Sequence, residues 1–202
     1  AGVFAYDGAS AQLAVDALVS LNVSTRKVSS PIVNSSVSLA NLDVLLMGEQ
    51  STMLLPDIEQ IAAWALHNGG CVLWHGLTPD QFSPLTYELL GAAAVDFRSP
   101  LPFNFSYFGR TWTIPAVSNH GPHVELGLSY NKLWSGAEVL AWDGRGIPAL
   151  LRNHWGRATV VYLSAELAIR GLPTEMLQQW YAMELSLCQE AWNPPSHASL
   201  FL

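Results

Sequence analysis

The chain has 202 residues, half of them apolar and 12% charged, where roughly 25% charged is usual for a soluble domain. That much apolar area can build a core, which excludes a disordered chain, and no run of about 18 apolar residues marks a membrane span. Nine basic against sixteen acidic residues give a net charge of −7. The arginines are scattered rather than grouped in a basic stripe, so nucleic acid is not expected as a partner, and an acidic membrane surface would repel the chain.

The first residues, Gly2, Val3, Phe4, Ala5 and Tyr6, read as a strand that ends at Asp7-Gly8. Ser10 is a suitable N-cap for a helix over residues 11–21, where Leu13, Ala14, Ala17, Leu18 and Leu21 recur at helical spacing. Residues 23–28 alternate in the manner of a strand near a sheet edge. A Ser-rich loop over 29–38 leads to an apolar strand at 44–47, which ends at Gly48-Glu49. Pro56 opens a helix carrying Ile58, Ile61, Ala62, Ala65 and Leu66, and Asn68-Gly69-Gly70 stops it. Residues 71–74 form the next buried strand, ending at His75-Gly76, and Ser83-Pro84 starts a helix that stops at Leu90-Gly91.

Alternating strands and helices with short links predict parallel pairing. Strands that are apolar throughout, rather than every second residue, predict helices on both faces. The fold class is therefore α/β, a flavodoxin-like, doubly wound and mostly parallel sheet. The second half adds β-hairpins. Residues 103–108 and 111–114 flank Gly109-Arg110, and residues 138–141 and 147–151 flank a turn over 142–146. Residues 119–133 are rich in turn formers. A β-branched strand follows over 158–163, and Thr174 caps a helix over roughly 175–191. One domain over 1–192 is expected, with 193–202 as a tail or linker.

In such a sheet, ligands gather beyond the carboxyl ends of the strands. Asp7, Glu49, His75 and Glu166 fall there and are the candidate catalytic groups, since carboxylates around an imidazole suit acid–base work. Gln50, Trp74, Asp80 and Ser164 are candidate ligand contacts at the same rim. His120 and His123, with Glu125, form a weaker metal-ligating pattern interrupted by Gly121-Pro122, and no metal or cofactor is assigned. Eight tryptophans are an excess for this length. Trp64 and Trp180 fit helical core stripes, while Trp112, Trp134, Trp142 and Trp155 belong to the hairpin-rich half and suit a sugar ring or a protein partner. Cys71 and Cys188 read as buried structural thiols, with a disulfide between them left open. The chain starts at a strand with no leader pattern. Three Asn-x-Ser sequons, at Asn22, Asn34 and Asn104, point to an extracellular or periplasmic setting.

The stretch from Asn68 through Gly69, Gly70, Cys71, Trp74, His75, Gly76 and Leu77 resembles the glycine turn, strand and His-Gly end of ThuA-like proteins, a branch of the class I glutamine amidotransferase-like superfamily. The run from Tyr87 to Ala92 and the run from Pro148 through Gly156-Arg157 to Leu163 are similar to runs of that family in the same order. The resemblance implies an amidotransferase-like fold. It also implies a Cys nucleophile after the strand that ends at Trp74 and a His-x-Glu pair after the late strand. Here His75 stands at the nucleophile position and the late pair is Ser164-Ala165-Glu166, so glutaminase chemistry is not expected. Two functions follow. The first is a non-catalytic amidotransferase-like domain of a larger protein, with a binding or assembly role and a carbohydrate connection; its partners are a small-molecule or sugar ligand and the other domains of the parent. The alternative is a hydrolase-type enzyme on a sugar-like substrate, using His75 with Asp7, Glu49 or Glu166.

Overall fold

The computed structural model describes residues 2–4, 8–28, 32, 39–47, 55–76, 83–97, 103–107, 109–114, 126–133, 137–142, 146, 148–164 and 172–189. The first half alternates as expected: β1 (Gly2–Phe4), α1 (Gly8–Ser20), β2 (Arg26–Lys27), β3 (Val44–Met47), α2 (Leu55–His67), β4 (Gly70–His75) and α3 (Pro84–Leu90). Helix α1 begins at Gly8, so Ser10 lies inside its first turn rather than at the cap. Helix α3 has the ends its sequence announces. Ser83 Oγ accepts the Thr86 N–H, Pro84 occupies the first turn, and Gly91 closes the helix in the left-handed conformation at φ 73°.

The second half contributes β5 (Ala92–Phe97), β6 (Phe103–Tyr107), β7 (Arg110–Ile114), β8 (Leu126–Leu133), β9 (Glu138–Trp142), β10 (Pro148–Trp155), β11 (Ala158–Leu163) and α4 (Thr174–Gln189). Among the described residues, seven strands form the main sheet, in the order β2-β1-β3-β4-β11-β10-β9. The pairings among β2, β1, β3, β4 and β11 are parallel. That is the flavodoxin order, with the last of the five parallel strands supplied by β11. Strands β10 and β9 then extend the edge antiparallel. The two expected hairpins are present as β6–β7 and β9–β10. The turn-rich stretch contains β8, which pairs antiparallel with β5 in a separate two-stranded sheet.

The pleat sorts the central strands between two cores. On one face Val72, Trp74, Val160 and Tyr162 pack with Ile58, Ile61, Trp64 and Ala65 of α2 and Leu89 and Leu90 of α3. On the other face Cys71, Leu73, Val161 and Leu163 pack with Ala14, Ala17 and Leu18 of α1 and Leu177, Trp180, Tyr181 and Leu187 of α4. Helices thus cover both faces of a mostly parallel α/β sheet.

Candidate functional site

Strands β4 and β11 are the centre of the sheet and end side by side. Leu163 is in register with His75, and the Gly76 N–H donates to the Leu163 carbonyl at 2.8 Å. Gly76 takes φ 70°, a left-handed turn that glycine adopts without strain. It ends β4 immediately after the imidazole. Ser164 follows β11, and its N–H donates to the Ala149 carbonyl at 2.9 Å. Its buried hydroxyl has no hydrogen-bond partner among the described residues.

His75 is fully buried, and its side chain belongs to the α4 face of the sheet. Its Nε2 lies 2.9 Å from both carboxylate oxygens of Glu184, which is equally buried. The imidazole also stacks on Tyr181, with ring centres 5.7 Å apart and planes 11° from parallel. Tyr181, Glu184 and Cys188 are spaced by three and four residues, so one stripe of α4 presents all three to β4. The geometry suits a fixed imidazole: the carboxylate holds Nε2, the phenol ring covers one face of the imidazole, and burial excludes bulk water.

Of the groups expected at the rim, His75, Trp74 and Ser164 are described. The strand ends bring His75 and Ser164 to neighbouring tips. Trp74 is in the core on the α2 face, opposite the imidazole. Asp7, Glu49, Gln50, Asp80 and Glu166 lie outside the described residues, as do His120, His123 and Glu125. Among the described residues, the carboxylate that meets His75 is one that strand-end reasoning passed over. A signal for it existed: Glu184 interrupts the apolar stripe of Leu177, Trp180, Tyr181 and Leu187, and a charged group on such a stripe needs a buried partner.

The cysteines correct an expectation. Cys71 and Cys188 are not separate thiols but a disulfide, with Cα atoms 5.8 Å apart, well within bridging distance. The bridge ties the first half of β4 to the last turn of α4. It lies at the amino-terminal edge of the sheet, away from the tip that carries His75.

A second polar group sits on β10. Arg152 Nε and Nη2 both bond Glu138 Oε2, at 3.0 and 2.6 Å, and Asn153 Nδ2 donates to the Glu88 and Leu89 carbonyls at 2.9 Å each. Burial and the neighbouring Arg152 guanidinium hold the His154 pKa below its ordinary value near 6.5, against a smaller opposing pull from Glu138.

No protein-family profile and no curated protein sequence matches the chain. Solved structures do match its fold. An exo-β-1,4-mannosidase, Op5Man5 from Opitutaceae bacterium strain TAV5, superposes with a TM-score of 0.65 at 18% identity, over 94% of this chain and 35% of that one. A GMP synthase-type protein from Thermoplasma acidophilum gives 0.60 at 14% identity, over 93% and 94%. A ThuA-like protein from Bacteroides uniformis ATCC 8492 gives 0.55 at 10% identity, over 90% and 88%. The chain has a flavodoxin-like, amidotransferase-like fold. It spans about a third of the mannosidase and most of the other two proteins. Among the described residues, no helix is long and apolar enough to cross a membrane.

Proposed function

We propose that this chain is a non-catalytic amidotransferase-like domain that works by binding or assembly within a larger, carbohydrate-related protein. The observation that carries the reading is the placement of its sulfur and its imidazole. Amide transfer through an acyl-enzyme needs a thiolate beside a base at the tip of β4. At that tip stands His75, enclosed and bonded to Glu184. Both cysteines of the chain are joined to each other at the opposite edge, and a disulfide sulfur is not a nucleophile. The carbohydrate connection and the larger parent draw on the mannosidase, in which a region of this fold accounts for about a third of the chain. The hydrolase reading, with His75 working beside Asp7, Glu49 or Glu166, has no specific observation in its favour among the described residues, where the carboxylate at the imidazole is Glu184.

The test is chemical. Native protein is treated with a diazoketone analogue of glutamine and, separately, with iodoacetamide, and its intact mass is measured. No adduct is expected without reductant and denaturant. An adduct on Cys71 in the native protein overturns the reading. Immunoblotting of the source tests the larger parent: the antigen is expected to run well above 22.0 kDa, and a native polypeptide of that size removes this part of the proposal.

A further inference from the structure

We infer that Asn22 is an acceptor for an N-linked glycan, with Asn104 as a second acceptor. Two independent observations support this, one of the chemical setting and one of the side chains. The first is the disulfide between β4 and α4, because such a bond persists in oxidising compartments, and the endoplasmic reticulum lumen, where N-glycans are attached, is one of these. The second is the state of the sequons. Asn22-Val23-Ser24 and Asn104-Phe105-Ser106 each show an exposed Asn and an exposed Ser two residues on. Asn34 lies outside the described residues.

Asn22 ends α1. Its N–H donates to the Val19 carbonyl at 2.9 Å, and the Val23 N–H donates to the Leu18 carbonyl at 3.1 Å. With φ 60° at Asn22, this is a Schellman closure with Asn22 in the left-handed position. Glycine would meet that backbone demand at least as well, so the cap alone does not select asparagine. On β6, Asn104 faces Thr113, whose hydroxyl donates to Asn104 Oδ1 at 2.8 Å. That bond engages the amide oxygen and leaves Nδ2, the atom that carries a glycan.

The donor is a lipid-pyrophosphate-linked oligosaccharide, supplied with its transferase by the cell. Nδ2 bonds to C1 of the first sugar as the C1–O bond to pyrophosphate breaks. One amide proton leaves to a base, and the lipid pyrophosphate departs with the electron pair. Helix α1 returns from the strand tips to the amino-terminal edge of the sheet. A glycan on Asn22 therefore sits at the end that holds Cys71 and leaves the His75 end uncovered.

Protein isolated from its own source is digested and treated with peptide-N-glycosidase in heavy-oxygen water. The expected product is Asn22 converted to labelled aspartate, with the same conversion at Asn104. Peptides carrying unmodified, enzyme-insensitive Asn22 throughout the population overturn the proposal. Variants made through a eukaryotic secretory route separate the glycan from the helix cap. Asn22→Gly keeps the left-handed closure and is expected to lose one glycan's mass, whereas Ser24→Thr is expected to retain it. A glycan mass unchanged by Asn22→Gly also overturns the assignment.

Discussion

A buried imidazole held by a buried carboxylate responds very differently to losing one partner and to losing both. With His75 and Glu184 both enclosed, Glu184→Ala removes the carboxylate that meets Nε2 of the imidazole. It is expected to lower the unfolding free energy by about 3–5 kcal/mol in urea titrations. Glu184→Gln keeps an oxygen opposite Nε2 and is expected to lose less, on the order of 1–2 kcal/mol. Replacing both residues by apolar ones, His75→Leu with Glu184→Met, is expected to be milder than Glu184→Ala alone; a double variant no better than the single one contradicts this. His154 offers a pH test. Its folded pKa lies below its ordinary value near 6.5, so the unfolded chain takes up the proton first as pH falls. The stability held above pH 6.5 is then lost between that value and the lower folded pKa. His154→Gln is expected to flatten the stability profile in that window. At this scale His75 and Ser164 were legible as polar residues closing apolar strands. Glu184 was not, because its partner is 109 residues away and only the interruption of a helical stripe marks it.

Elements whose local chemistry agrees with their burial were legible; those that depend on a distant partner were not. Helix α3 carries a Ser-Pro start and a Gly stop, and the fold uses both. Strands β3, β4 and β11 are short apolar runs because helices cover both their faces. Strand β5 begins Ala92-Ala93-Ala94, and β8 contains Gly127, Ser129 and Asn131. These compositions do not favour a strand alone, and the two become a ladder by pairing with each other. The junction of α3 with β10 is where an element-scale prediction belongs. Asn153 donates to both the Glu88 and Leu89 carbonyls, and the Gly91 N–H also reaches Glu88. Asn153→Ala therefore strips the Leu89 carbonyl of that donor and is expected to lower stability by about 1–3 kcal/mol. Gly91→Ala is expected to lower it further. It forces φ 73° on an L side chain, with a Cβ 2.7 Å from both Ala137 Cβ and Asn153 Cγ. Since Asn153→Ala removes one of those obstacles, the double variant is expected to be less destabilised than the sum of the singles. Strict additivity in thermal or denaturant unfolding contradicts this account of the junction.

For the whole molecule, the parallel order of the sheet was legible, and the chemistry that ties its two halves together was only half so. The chain could be read as strands with tips at one rim and Cys71 as a buried thiol. That Cys188 would close on Cys71 depends on how α4 lies across β4, a tertiary fact with no local signature. Helix α4 and strand β4 are fastened along one face, by Cys188 on Cys71 at one end and Glu184 on His75 at the other. The disulfide spans 117 residues of sequence, which includes everything from β5 to β11. Loop-closure entropy for a loop of that order predicts a stabilisation of about 4–5 kcal/mol. Reduction, or Cys71→Ser with Cys188→Ser, is therefore expected to lower the unfolding free energy by about 3–5 kcal/mol in guanidinium chloride. The effect should also be local in the native state. With the bridge gone, amides in the last turns of α4 are expected to exchange faster, while those near Tyr181 and Glu184 stay protected by the remaining tie to His75. Adding Glu184→Ala to the reduced protein should extend fast exchange toward Leu177, because the helix then keeps only its packing against β4 and loses both the bridge and the carboxylate contact. If reduction leaves both the unfolding midpoint and the exchange pattern unchanged, the two sulfurs are not joined in solution, and the argument from sulfur placement must be rebuilt on free thiols.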